Sequence, residues 1–274
     1  MEELPWVRKE LELGESITFR EKGKDVFRLQ EWLNYWSLYT QRLPQIKIDG
    51  DFGPATLGAV KEFINYQKSV YSLDLFHNHD GRVVDKLLWQ RLVLPMRNSV
   101  NSLLSEDNPG FRNGIFSVLE NHLRSHPVEV GGQNRGPWVR LYMKGNQGGA
   151  YPWCAGFVSF ILLQAKKISG YQSELPYFFS CDQFASWAKK HGKFIEGKSL
   201  TKKDRLSRIV PGDIFLIRKS ENDWIHTGFV HPKRDLQFFH SAEGNTNDEG
   251  SREGYEACRR TRSYTNIDFI SIGE

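Results

Sequence analysis

A cysteine, Cys154, stands in the stretch "YPWCAGFVSF" at residues 151–160, after a glycine-rich loop and before a run of small and apolar residues. Only the thiolate of a cysteine is a strong nucleophile, and a free thiol near pKa 8.5 is mostly protonated at neutral pH. The unpaired N–H groups of a helix start lower that value, and a neighbouring imidazolium lowers it further. Phe157, Phe160, Ile161 and Gln164 repeat at helical spacing, so the pattern puts Cys154 on the first turn of a helix. Its own backbone N–H then points toward an oxyanion forming beside the sulfur, and Tyr142 or Tyr151 upstream is the candidate for a second donor.

Thiol chemistry also needs a base and a group that orients it. His226 opens the strand-like "HTGFV", and "HPKRD" returns the chain as "LQFFHSAEGN". A hairpin centred near Lys233–Arg234 sets His226 opposite about Ala242, so Glu243 and Asn245 lie beside it on one face of the next strand. Either can accept from the imidazole and fix its tautomer. Cys154, His226 and Glu243 or Asn245 thus make a nucleophile, base and orienter for opening an amide, with no metal or cofactor required.

Competing patterns are present. "WCAGF" is also how a buried small hydrophobe looks. Cys181 lies in the amphipathic "SCDQFASWAKKHG" and Cys258 in "EACRRTRS" without a base nearby, so both read as structural. His240 alternates with Phe238 as a packed strand histidine, and His77, His79, His122, His126, His191 and His231 have no local partner of the right kind. "NTNDEGSREGYE", residues 245–256, copies the spacing of a calcium loop but has Asn first and lacks clear flanking helices.

The elements that must position these groups fall into two blocks. In residues 17–95, Val26, Leu29, Leu33 and Trp36 mark an amphipathic helix, "DGDFGP" a turn, and Pro54 the start of a second helix with Leu57, Val60, Phe63 and Ile64 on its apolar face. "VVDKLLWQRLV" gives a third. Residues 1–16 read as a tail and the polar stretch 96–114 as a linker. Residues 115–274 begin with helices and end with short Phe-, Ile- and Val-rich strands, which is an α+β pattern. The net charge of +4 comes without a dense Lys/Arg stripe, so a nucleic-acid partner is not expected. No apolar run reaches the roughly 18 residues of a membrane span, and "MEELPWVRKELELGE" lacks the apolar core of a secretory signal. Three cysteines make no disulfide framework, which suits a chain made in a reducing cytoplasm.

"GKDVFRLQEWLN", "IKIDGDFGPATLGAVKEF" and "DGRVVDKLLWQRL" resemble the three-helix peptidoglycan-binding domain, with Asp85 where that family has a glycine, a departure that loosens the last turn. "WCAGFVSF", "PGDIFLI", "HTGFV" and "EGNTNDEGSREGYEACRRTRS" resemble the CHAP branch of the papain-like, NlpC-related cell-wall hydrolases. The resemblance implies a papain-like domain with helices packed on an antiparallel sheet, Cys154 as nucleophile, His226 as base, and Glu243 or Asn245 as its orienter. It implies a peptidoglycan hydrolase, an endopeptidase in the first instance. An N-acetylmuramoyl-L-alanine amidase and a non-catalytic wall-binding protein are the alternatives. The expected partner is peptidoglycan and the expected state a monomer without membrane insertion. Such a chain would reach the wall by holin-type release or by specialised secretion such as type VI, in the latter case beside an immunity protein.

Overall fold

The computed structural model describes residues 1–71, 76, 79–101, 110–172, 174–247 and 254–273. The chain opens not with a tail but with helix α1 (Pro5–Leu11), started by a proline at its first position and burying Val7 and Leu11. Strand β1 (Ile17–Thr18) leads into α2 (Lys24–Thr40), whose apolar face includes Val26, Leu29, Leu33 and Trp36 as the spacing predicts. Next come α3 (Pro54–Tyr71), β2 (Val83–Val84), α4 (Lys86–Leu92) and α5 (Leu94–Val100). β1 and β2 pair antiparallel.

Gln30 explains why "DGDFGP" turns where it does. Its side-chain N–H donates to Asp49 Oδ1 at 2.9 Å and to Thr56 Oγ1 at 3.0 Å, and its carbonyl accepts from the backbone N–H of Asp49 and Gly50. Asp85 does not loosen the last turn. It caps α4, with Oδ1 accepting from the Leu88 N–H at 2.8 Å.

In the second half, α6 (Phe111–Arg124), α7 (Pro137–Tyr142), α8 (Cys154–Ser169) and α9 (Cys181–Lys190) precede β3 (Phe194–Ile195) and α10 (Lys202–Arg208). The strands β4 (Ile214–Ser220), β5 (Asp223–Arg234), β6 (Phe238–Thr246), β7 (Glu256–Ser263) and β8 (Ile267–Ile270) follow. They form one antiparallel sheet in the order β3-β8-β4-β5-β6-β7. The chain is therefore α+β, with helices laid against an antiparallel sheet. Ile214, Leu216, Phe229 and Ala242 join the main core with the helices, and Phe215, Val230, Phe239 and Phe269 build a second cluster.

The stretch read as a linker is helical at both ends: α5 covers residues 96–100 and α6 residues 111–114, while 102–109 lie outside the described residues. The two halves also share one core. Trp36 of α2 and Trp138, Tyr142 and Phe160 of the second half belong to a single buried cluster, and the Tyr35 hydroxyl donates to the Ser125 carbonyl. Polarity reads the stretch wrongly because its Met96, Ser99 and Val100 point inward, with Ser99 Oγ bonded to Pro95 O and Ser125 Oγ.

Arg140 of α7 ties the halves electrostatically. Its guanidinium meets Glu10 of α1 at 2.7 Å and Glu31 of α2 at 2.7 Å, all three side chains being largely buried. Burial pushes the Glu31 carboxyl up, against the pull of Arg140. Removing one member of such a buried set leaves uncompensated charge. Arg140→Met is expected to lower the unfolding free energy by about 3–5 kcal/mol, read as a shifted midpoint in urea with unchanged slope.

Candidate active site

Cys154 is the first residue of α8, as the spacing predicts, and its side chain is buried. The Ala155 N–H points at the sulfur. Trp153 before it fixes the entry of the helix. Its ring stacks on Tyr142 at 5.4 Å and its Nε1–H donates to Glu129 Oε1 at 2.8 Å. The Tyr142 hydroxyl bonds His122 Nδ1 in the core at 2.8 Å, so it is not directed at the sulfur. Tyr151 is exposed and does not line the cleft.

His226 lies on β5, near enough to Cys154 for each to shift the other's ionisation, and its Nε2 meets Glu243 Oε2 on β6 at 2.7 Å. That leaves Nδ1 for the sulfur. Of the two candidates for orienter, Glu243 is the one that meets the imidazole. Asn245 does not: it sits within a bulge between Glu243 and Thr246 with φ +53°, and its Oδ1 is buried without a partner among the described residues while the residue lines the cleft.

The hairpin differs from the one expected. Its turn falls at Asp235–Gln237, where Asp235 Oδ1 accepts from the Gln237 and Phe238 N–H groups, and a bulge follows Val230. Glu243 consequently pairs with Gly228, and reaches His226 diagonally across the missing side chain. A Cβ at Gly228 would lie 2.9 Å from Glu243 Cγ and 2.7 Å from the Ala242 carbonyl oxygen. Gly244 has a similar task toward α8, where a Cβ would lie 2.6 Å from the Phe157 ring.

Three participants escape sequence reading. Arg262 of β7 holds Glu243 with both nitrogens, Nε to Oε1 at 2.8 Å and Nη2 to Oε2 at 2.6 Å. Ser241 donates its hydroxyl to Glu243 Oε1. Cys181, which looks structural in the sequence, is the first residue of α9 and has its sulfur 3.9 Å from that of Cys154. The "SC" pair at a helix start was the available signal. Cys258 lies on β7, directly opposite Glu243 in the ladder. Residues 248–253 of the calcium-like loop and His77 lie outside the described residues, and Glu256 of that loop meets His126 at 2.6 Å.

The charges order themselves accordingly. The Cys181 S–H stabilises the Cys154 thiolate, burial opposes it, and His226 adds its attraction, so the Cys154 pKa lies well below the usual thiol value. The Cys181 thiol is pushed well up by the same bond. Burial disfavours the imidazolium, yet the bonds to Cys154 and Glu243 outweigh it and hold His226 at about 9. Burial likewise opposes the Glu243 carboxylate, but Arg262 and His226 bring it to about 2. Both shifts favour the thiolate and imidazolium forms, and Cys154 lines a cleft of about 380 Å³ together with Gln133, Asn134, Phe179, Trp224 and Asn245.

The two shifts oppose one another in stability. His226, with its raised pKa, contributes below pH 6.5 and loses that contribution as pH rises to about 9. Cys154, with its lowered pKa, gains contribution over the same range because the unfolded thiol stays protonated. Wild-type stability is expected to be nearly flat from pH 6.5 to about 9. Cys154→Ser removes the gain, so its stability should fall with pH by up to about 1.4 kcal/mol per unit. Urea titrations across that range check this, and parallel slopes for the two proteins would mean the pair does not exchange its proton. Comparisons of the chain with family models, curated proteins and solved structures found no match.

Proposed function

We propose that the chain is a peptidoglycan hydrolase that opens an amide in the peptide part of the wall by thiol catalysis, with a three-helix wall-binding module and a papain-like catalytic domain. The observation that carries this reading is the line Cys154, His226, Glu243, in which a thiolate at a helix start meets an imidazolium held by a buried carboxylate. That arrangement suits acyl transfer, because the sulfur is ionised before substrate arrives and the proton needed by the leaving amine is stored beside it. The polymer-binding role of α2 to α4 rests on the resemblance of "GKDVFRLQEWLN" and "IKIDGDFGPATLGAVKEF" to the peptidoglycan-binding domain.

In the proposed reaction the Cys154 thiolate attacks the carbonyl carbon. The oxyanion forms at the start of α8, where the backbone N–H groups are unpaired and the helix dipole favours negative charge. Gln133, Asn134 and Asn245 are the amide side chains of the cleft lining from which a second donor would come. His226 protonates the leaving amine, a water activated by His226 then hydrolyses the thioester, and Glu243 keeps the ring aligned throughout. We assign the site of action to the bacterial wall, reached by phage-type release or by contact-dependent delivery with a cognate immunity protein.

Purified sacculi digested with the protein should release soluble fragments whose masses identify the bond. Split stem or bridge peptides indicate an endopeptidase, and free lactyl ends indicate an amidase. Cys154→Ala should abolish release, and Glu243→Gln should lower turnover by about 10³–10⁴-fold with little change in binding to sacculi. Binding by wild type without release, across several wall chemotypes, would replace the hydrolase with a wall-binding protein.

A further inference from the structure

Cys181 supports the Cys154 thiolate but takes no part in the bond changes of the proposed hydrolysis, and its position is specific. It opens α9, Ser180 caps that helix through the Asp182 N–H, and Asp182 Oδ1 accepts from the Trp224 N–H at 2.9 Å. Lys189 of the same helix lies over the Trp224 ring at 4.6 Å. α9 is thereby fastened to the start of β5, and its first sulfur is held in the cleft wall against that of Cys154. Neither sulfur is in a disulfide.

We infer that Cys154 and Cys181 form a peroxide-responsive modification site, in which Cys181 resolves the oxidised Cys154 as an intramolecular disulfide. The chemistry balances with a hydroperoxide as oxidant. The Cys154 thiolate attacks the near oxygen, an S–O bond forms as the O–O bond breaks, sulfur is oxidised to sulfenic acid, and the alkoxide or hydroxide leaves and takes up a proton. Cys181 then attacks the sulfenyl sulfur. The S–S bond forms, the S–O bond breaks, and hydroxide leaves with the proton of Cys181 as water.

Three features favour the second step. The sulfurs need only close from 3.9 Å to the roughly 2 Å of a disulfide. The Cys154 thiolate is the main reason the Cys181 thiol resists ionisation, so converting it to a neutral sulfenic acid frees Cys181 to act as a nucleophile. The imidazolium of His226 can relay that proton, giving its own to the departing hydroxide and taking up the one that Cys181 releases. In the disulfide the nucleophile is blocked but recoverable by a thiol reductant. Without Cys181 the sulfenic acid has only further peroxide to react with, and ends as an irreversible sulfinic acid.

The test does not depend on hydrolytic activity. The full-length protein is treated with hydrogen peroxide in slight excess, then alkylated and peptide-mapped by mass spectrometry. Wild type should lose two hydrogens and yield one linked peptide pair joining Cys154 to Cys181, reversed by dithiothreitol. Cys181→Ala should instead gain two oxygens at Cys154, not reversed by dithiothreitol. Cys258→Ser should behave as wild type. Sulfinic acid at Cys154 in wild type without a bridge, or no modification of Cys154, would overturn the inference. Were Cys181→Ala to misfold by circular dichroism, the wild-type map would decide alone. A bridge formed by a protein inactive on sacculi would leave this inference standing while removing the hydrolase reading.

Discussion

The Glu243 carboxylate has no contact with solvent, and a buried charge of that kind survives only when every lone pair is answered. Arg262, His226 and Ser241 answer it from three directions. Each demands something of the backbone. Arg262 requires β7 to lie beside β6, Gly228 must leave the diagonal path open, and the hairpin bulge must set the register that puts them together. A slip of one residue would turn Glu243 to the other face and strand Arg262 without a partner.

Seen along its length, the site is an alternating row: Arg262 positive, Glu243 negative, His226 positive, Cys154 negative, with the neutral Cys181 thiol at the end. The row carries no net charge, which is what a low-dielectric interior tolerates best. Ionisation of the sulfur is therefore not a local property of the helix start. The dipole of α8 assists, but most of the arrangement is contributed by strands far along the chain.

The parts of this row differ in how legible they are from sequence. The apolar spacing after Cys154 and the strand pattern at His226 are local signals; the helix starts where the spacing puts it, and His226 lies in a strand that begins three residues earlier and runs through the expected turn to Arg234. The Gln30 turn is local too. Choosing between Glu243 and Asn245 needed the register, and register depended on a turn two or three residues later than Lys233–Arg234 and on bulges with no sequence signature. Arg262 sits among several arginines in "EACRRTRS", and only the ladder singles it out. Cys181 and α1 were missed for a related reason. Their roles come from contacts with residues remote in the chain, which composition and periodicity do not encode.

The core shared by the two halves has its own consequence. Modules on a flexible tether sample many separations, and a ligand gripped by one meets the other at an effective concentration set by tether length. Here Trp36, Trp138 and Tyr142 pack in one cluster and Arg140 bolts α1 and α2 to α7, so the helical half works as a fixed arm on the cleft. For any polymer that touches both, the arm acts as a gauge. It presents one length and one angle of strand to the sulfur, and strands of other pitch gain nothing from being held.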